Sequence, residues 1–391
     1  VTAPGEDGWP LRVLHVDAAR EWRGGQGQLR LLARELAARE DIEQGVAARA
    51  GSRLLAEVAD AGVERLPLDW GPALDPRAVV ALAREAGGWD LLHAHSSHAL
   101  QAALLALSLS GSPAGLVAAR RLDFPVRTPS VWRRANLVLC VSGAVRRVLV
   151  GCGVEAARTR VVRDAVDPDD LRPERPGRLR EAAGAGPDEV LVGAVGALVG
   201  HKDHGTLVRA ARRVSAERPD ARFLVAGEGP ERARLERMVS EAGLEGRFRL
   251  PGHVPEAARS LGDLDCFVMC SREEGMGSAA LEAMAAGVPT VVTRAGGLAE
   301  LAGDGVPGVP PEDPERLAGA ILRLLEDPGA REAAVRAGTR KAGRFSPARM
   351  AEETMAAYRG VIRGREARRR EARRLEREGD RRRSPPVPST P

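Results

Sequence analysis

The chain has 391 residues, enough for two ordinary domains, with 43% hydrophobic but only 3% aromatic residues and a formal net charge of +5. That balance excludes a disordered polymer and predicts cores packed from Ala, Val and Leu. Four cysteines exclude a disulfide-built scaffold, and no apolar run reaches the roughly eighteen residues that a membrane-spanning helix needs.

The opening segment, VTAPGEDGWPLRVLHVD, places acids and proline where a secretory leader needs a basic and then an apolar stretch, so a cytoplasmic chain is expected. Short apolar runs of strand length then alternate with helical patterns. They read LRVLHVD, GQLRLLARELAARE, QGVAARA, SRLLAEVADAG, VERLPL, WDLLHAHS, HALQAALLALSLSG, AGLVAAR, ANLVLCVS, GAVRRVLVGCG and TRVVRDAV. This βαβ rhythm implies a parallel sheet.

From Asp167 to Asp188 the rhythm breaks at a segment with four prolines, as an interdomain connection would. A second series follows: EVLVGAVGALVG, HGTLVRAARRVSAER, ARFLVAG, GPERARLERMVSEAG, RFRLPG, LDCFVMC, SAALEAMAAG, PTVVT, LAELAG and DPERLAGAILRLLED. Cys266 and Cys270, inside CFVMC, are expected as buried free thiols. Ser346 and Pro347 then form a strong helix start, and this last helix is expected to pack back on the first domain.

The expected fold class is therefore α/β, with two Rossmann-like doubly wound domains in tandem. The expected boundaries are residues 1–170 for the N-terminal domain, 171–187 for the linker, 188–345 for the C-terminal domain, 346–362 for the returning helix and 363–391 for a basic, disordered tail. The tail explains the net charge: residues 363–383 hold eleven Arg against five acids, a net of +6, so the rest of the chain sums to −1. Basic character confined there argues against a nucleic-acid protein and leaves a solvated, partly helical extension or an arm for anionic lipid or RNA.

Ligands of doubly wound sheets sit at the carboxyl ends of the strands, where loops meet helix N-termini. Four such places stand out. In EWRGGQGQLR, Gly24 and Gly25 lie between the first strand and its helix, where amides can approach an anion or the chain can simply reverse. In VGALVGHKDHGTL, Lys202 follows a buried strand as a point charge suited to phosphate oxygens. In SREEGMGSAALEAMAAG, the carboxylates Glu274 and Glu282 bracket Gly275, Met276, Gly277 and the helix start at Ser278. Two carboxylates flanking a row of amides suit a ligand with diols at both ends and negative charge between them, as in a nucleotide sugar. The fourth place, HAHSSH, holds His93, His95 and His98. His93 and His95 share one face of an extended strand, a pattern open to a metal, but the cluster ends a buried strand, and His95 and Ser96 read better as cleft-lining. The triplets Asp167 to Asp169 and Asp263 to Asp265 lack a diphosphate setting. Trp22, Phe124 and Trp132 are either a sugar subsite or core.

The segment EEGMGSAALEAMAAGVPTVVTRAGGLAEL, with seven residues between Glu274 and Glu282, closely resembles the donor-site signature of the family 4 retaining glycosyltransferases. The glycine loop, DLLHAHS, LVLCVSGAVRRVL, VGALVGHKDHGTLVRAA and FLVAGEGPERARLE follow in the family's order. The resemblance implies a GT-B fold with a central cleft, a nucleotide-sugar donor held mostly by the second domain and an acceptor by the first. It implies that Glu282 holds the ribose diol, Glu274 the donor sugar, and Lys202 with Gly24 and Gly25 the diphosphate, with no metal or other cofactor required. UDP-sugar is favoured and GDP-sugar is admitted, and the acceptor expected is a cell-envelope glycan or glycolipid, with a peripheral position on the inner face of the membrane.

The chain departs from the family at two places. Ala197 stands where many members carry a phosphate-binding arginine, and Arg120, Arg121 and Asp123 stand where many place a histidine. Arg121 is taken as a source of charge beside His95, Glu274 and Lys202 in the catalytic set. The alternatives are a GT-B nucleotide-sugar 2-epimerase, and non-catalytic binding to an anionic surface through the arginine-rich tail.

Overall fold

The computed structural model describes residues 10–71, 74–172 and 175–383. Parts of three sequence expectations, at residues 1–9 of the first domain, 173–174 of the linker and 384–391 of the tail, lie outside the described residues.

Two parallel sheets carry the architecture. The first contains β1 (Leu11–Val16), β2 (Ile42–Arg49), β3 (Glu64–Leu68), β4 (Leu91–Ala94), β5 (Gly115–Arg120), β6 (Leu137–Cys140) and β7 (Thr159–Val161), in the order β3-β2-β1-β4-β5-β6-β7. The second contains β8 (Val190–Val195), β9 (Ala221–Ala226), β10 (Phe248–Gly252), β11 (Cys266–Met269), β12 (Thr290–Thr293) and β13 (Gly308–Val309), in the order β10-β9-β8-β11-β12-β13. In each sheet the winding direction reverses once, between β1 and β4 and between β8 and β11. Those two reversals are where a crevice opens at the carboxyl ends of the strands. The second core is aliphatic as composition demands, with Val192, Leu207, Val225, Val268 and Ile321 buried, and its one aromatic stack pairs Phe223 with Phe248 at 5.9 Å.

The chain divides into two compact units, one of residues 1–119, 130–139 and 351–391, the other of residues 120–129 and 140–350. The second unit therefore includes residues 120–129 and 140–170, which the expected boundaries place in the N-terminal domain, and residues 171–187, expected as a linker, belong to it as well.

Several elements differ from the sequence expectations. The expected linker contains a helix, Arg178–Ala183, whose first amides are capped from a distance: Gly177 N–H and Leu179 N–H donate to the two carboxylate oxygens of Asp263 at 2.8 and 2.9 Å. Helices Pro76–Glu85 and Pro328–Ala342 and strand β13 were not anticipated. Both helices start at an Asp-Pro pair, whose aspartate accepts a first-turn amide while the proline occupies the first helical position.

The last helix begins at Pro347, with Ser346 Oγ accepting Arg349 N–H at 3.3 Å, as expected, but it runs 37 residues to Arg383 instead of ending at 362. Residues 363–383 are thus helical, which corrects the expectation of a disordered tail. The physical reason lies in composition: Arg, Glu and Ala are strong helix formers, and opposite charges four apart, such as Glu366 and Arg370, support an exposed helix. Its earlier turns belong to the first unit, where Tyr358 is fully buried with its hydroxyl 2.6 Å from His93 Nδ1. Among the described residues no helix is long and apolar enough to cross a membrane. All four cysteines are free, and burial pushes the thiols of Cys140, Cys266 and Cys270 up to about 12.

Candidate active site

The reversal between β8 and β11 places two loops side by side in the second unit. One leaves β8 through Gly196 and reaches Lys202 in a single turn of tight helix, Gly200–Lys202. The other leaves β11 through Ser271 and reaches Glu274. Lys202 Nζ and Glu274 Oε2 meet in a close ion pair, both side chains largely covered, and Ser271 Oγ donates to the same oxygen at 3.3 Å. A carboxylate and an ammonium that are 72 residues apart in sequence are thus joined at the place where topology alone predicts a ligand.

The backbone of Glu274 is held at both its polar atoms. Glu274 N–H donates to Asp123 Oδ2 at 2.7 Å, and its carbonyl accepts Gly297 N–H at 2.6 Å. Gly275 and Gly297 press backbone on backbone: a Cβ on Gly275 would lie 1.9 Å from the Arg121 carbonyl oxygen, and one on Gly297 2.0 Å from the Gly275 carbonyl oxygen. Gly277, at φ +87°, turns the chain into the helix Ser278–Ala285. Met276 is buried, so only its backbone faces outward chemistry. The first turn from Ser278 has amides without intrahelical acceptors, which suits an anion.

Glu282 lies one turn further along that helix, half-buried, with its carboxyl group ringed by protein. Burial, and secondarily the charge of Asp170, raises it to about 7. A ligand that donates hydroxyl protons to the carboxylate would therefore bind in competition with a proton.

Arg121 does not pair with Lys202 or Glu274. Its Nε donates to Asp164 Oδ1 at 3.2 Å, and its Nη1 is buried without a partner. Burial raises Asp164 against the pull of Arg121, and the charge of Glu274 adds to the rise. Arg120 is turned inward, donating to the Phe124 carbonyl at 2.7 Å and lying over its ring at 5.4 Å. Asp123 and Asp164 are members of this charge cluster that sequence reasoning missed as such. Asp123 had been noted only as a departure, and the contacts that define it come from residues more than 150 positions away.

The remaining candidates lie in the first unit. Gly24 and Gly25 open the helix Gly24–Ala37, and Gln26 ties that turn to the end of β1 by donating to both oxygens of Asp17 at 3.2 and 3.1 Å. His95 is buried rather than lining an open surface. Parallel register sets His15 beside His93, and His95 Nε2 lies 3.0 Å from His15 Nδ1. One nitrogen from each of the three rings lies within 4.8 Å of the others, a grouping with metal-ligand chemistry, but a metal bound between His15 and His95 would have to replace the hydrogen bond that joins them. Burial holds His15 down to about 4, so it is neutral at physiological pH. Trp132 is core, and Trp22 packs under Arg53 at 4.6 Å.

Comparison with known proteins bears on the family and the fold. The family described as "Glycosyltransferase Family 4" matches residues 22–170, and that described as "Glycosyl transferases group 1" matches residues 177–341. The 2-deoxystreptamine glucosyltransferase of Streptomyces kanamyceticus is 35% identical over 214 residues, 53% of this chain and 52% of that one. A D-inositol 3-phosphate glycosyltransferase of Mycobacterium avium is 31% identical over 298 residues, 72% of this chain and 66% of that one. The first of these alignments, like several others, spans about half the length of the relative. Among solved structures, Anabaena HepE in complex with UDP and glucose superposes with a TM-score of 0.77 at 20% identity, covering 90% of this chain and all of that one, a likeness of fold. With two adjoining family matches that together take in most of its length, the chain belongs to the family 4, group 1 glycosyltransferases of GT-B fold.

Proposed function

We propose that the protein is a retaining glycosyltransferase that moves a sugar from a nucleotide-sugar donor, a UDP-sugar in preference to a GDP-sugar, to a cell-envelope glycan or glycolipid. The observation that carries the proposal is the Lys202–Glu274 pair at the strand-order reversal of the second sheet, set beside the glycine-lined helix start at Gly277 and Ser278. In this reading the two members of the pair serve different parts of the donor. A donor diphosphate draws Lys202 away, and the released Glu274 carboxylate accepts hydroxyls of the donor sugar. The amides of Gly275, Met276, Gly277 and Ser278 and the ammonium of Lys202 stabilise the charge that grows on the leaving diphosphate, so the chemistry needs no metal or added cofactor. Glu282 accepts the ribose diol. Arg121, held by Asp164, adds fixed positive charge in place of the absent arginine at Ala197. Gly24 and Gly25 contribute first-turn amides for an anion, and His95 shapes the acceptor side.

The names of two relatives point to cyclitol acceptors, 2-deoxystreptamine and inositol 3-phosphate, so an acceptor panel should contain cyclitols as well as glycolipids. The exposed arginines between 363 and 375 support peripheral contact with an anionic membrane from the cytoplasmic side. Calorimetric titration of UDP, GDP, ADP and their sugar conjugates tests the donor. Binding of one nucleotide class by the wild type supports the reading, and binding of none overturns it. Release of free UDP from UDP-sugar without any acceptor would favour the 2-epimerase instead.

A further inference from the structure

We infer that Asp123 is a positioning residue that holds Glu274 in register with Lys202, an assignment that rests on the donor-site reading above. Glu274 has four polar attachments. Its carbonyl is held by Gly297 and its carboxylate by Lys202 and Ser271, all from loops at the carboxyl edge of the second sheet. Its N–H alone is held from elsewhere, by the Asp123 carboxylate in the segment that follows β5.

The fit around that carboxylate separates a built contact from an incidental surface cap. A Cβ on Gly296 would fall 2.2 Å from Asp123 Oδ2 and 2.3 Å from the Glu274 carbonyl oxygen, so the space the carboxylate fills exists because residue 296 has no side chain. Gly296 also sits at φ +51°, where other residues are strained. Two residues back, the Arg121 carbonyl rests on Gly275 in the same way, at 1.9 Å from where a Cβ would be. The segment is stiffened from its own side: Arg120 holds the Phe124 carbonyl, Arg121 reaches Asp164, and the Phe124 ring stands 6.4 Å from His201, next to Lys202. Two glycines on one side and two anchored arginines on the other leave Asp123 one position.

A half-buried carboxylate beside Glu274 and Glu273 carries a cost, and its partial burial, with the nearby charges of those two glutamates, raises Asp123 above the ordinary carboxylate range. That cost is offset if Glu274 must be held at a fixed height above Lys202. Without Asp123 the Glu274 amide would turn to solvent, and its side chain would sample positions in which the donor sugar meets no acceptor.

The test pairs Asp123→Ala with Asp123→Asn, since asparagine keeps an oxygen that accepts the amide. Exchange of the Glu274 amide, read by NMR or mass spectrometry on the ligand-free full chain, should quicken about tenfold in Asp123→Ala and stay close to wild type in Asp123→Asn. With a donor established, Asp123→Ala should raise the donor KM by about tenfold at constant acceptor KM, and Asp123→Asn should recover most of it. Unchanged exchange in Asp123→Ala, at an unchanged melting temperature, overturns the inference. Faster exchange with an unchanged donor KM also overturns it, because the loop would then move without consequence. A wild type that binds no nucleotide sugar overturns the donor-site reading instead, and the exchange measurement still decides whether Asp123 holds Glu274.

Discussion

Replacing Glu282 tests the donor side most directly. A ribose diol offers two hydroxyl protons to one carboxylate, and hydrogen bonds to a charged group contribute roughly 1.5–3 kcal/mol each. Glu282→Ala should therefore cost about 3 kcal/mol of nucleotide affinity, roughly a 150-fold rise in Kd. The raised pKa adds a second signature. With Glu282 at about 7, about nine-tenths of the molecules carry the charge at pH 8 and about one-tenth at pH 6, so nucleotide affinity should fall about tenfold between them. Glu282→Gln should flatten that dependence, and Asp170→Asn should move it to lower pH by removing the neighbouring charge. Stability should move oppositely. An acid raised in the folded state takes up protons that the unfolded chain has released, so folding is favoured below about 4.5 and weakens as pH rises through 7, by up to about 3 kcal/mol. Isothermal titration of UDP at pH 6, 7 and 8, with urea melts at the same values, checks both signs. Equal UDP affinity in wild type and Glu282→Ala at pH 8 would refute the ribose assignment, and a wild-type affinity that rises on acidification would refute the electrostatics.

Lys202→Ala leaves the Glu274 carboxylate beside Ser271 without its cation and should lower donor turnover at least a hundredfold, measured as nucleotide release under saturating acceptor. Tyr358→Phe removes the hydroxyl at His93 Nδ1 from a fully buried site and should destabilise the chain by about 1–3 kcal/mol in urea melts, with nucleotide binding unchanged. His15, held down to about 4, makes folding less favourable as pH falls from 6.5 toward 4, because the unfolded chain protonates first. Wild type should lose up to about 3 kcal/mol more than His15→Asn across that window. Removing residues 364–391 should abolish co-sedimentation with anionic vesicles while leaving nucleotide affinity intact, and vesicle binding that survives truncation would place the contact elsewhere.

Much of the fold was legible because parallel sheets write themselves as apolar runs at regular spacing. β8 and β11 could be placed from EVLVGAVGALVG and LDCFVMC, and topology then put Lys202 and Glu274 at one crevice. The helices at Pro76 and Pro328 were equally legible from their Asp-Pro starts, and the first also from its buried stripe of Ala78, Val79 and Leu82, whereas the second buries mainly alanine and glycine. β13, two residues long, carries no period at all. The tail misled for another reason: charge density was taken as disorder, although arginine and glutamate in helical spacing support each other. For the site, Lys202, Glu274 and Glu282 were singled out by the family resemblance of the segments around them, not by residue type alone, and their partners were not singled out at all. That Arg121 turns to Asp164, or that Asp123 takes the Glu274 amide, depends on contacts across 43 and 151 positions, and no local pattern encodes them. The burial of His95 against His15 was not legible, because a strand's face says which histidines align, not whether a neighbouring strand will supply a third ring beside them.

The close seating of Arg121 and Asp123 against Gly275 and Gly296 has a consequence for how this protein can change over generations. Loops are ordinarily where chains accept insertions and deletions, and the segment from Leu122 to Arg127 includes exposed residues that look permissive. Here one added or lost residue would slide a carbonyl and a carboxylate off the two positions that have no side chain, so the segment should tolerate length changes no better than a core strand. Its sequence can drift at exposed points such as Leu122 and Arg127 while its length stays fixed. A deep insertion scan would reveal this as a short gap of intolerance in an otherwise accommodating surface.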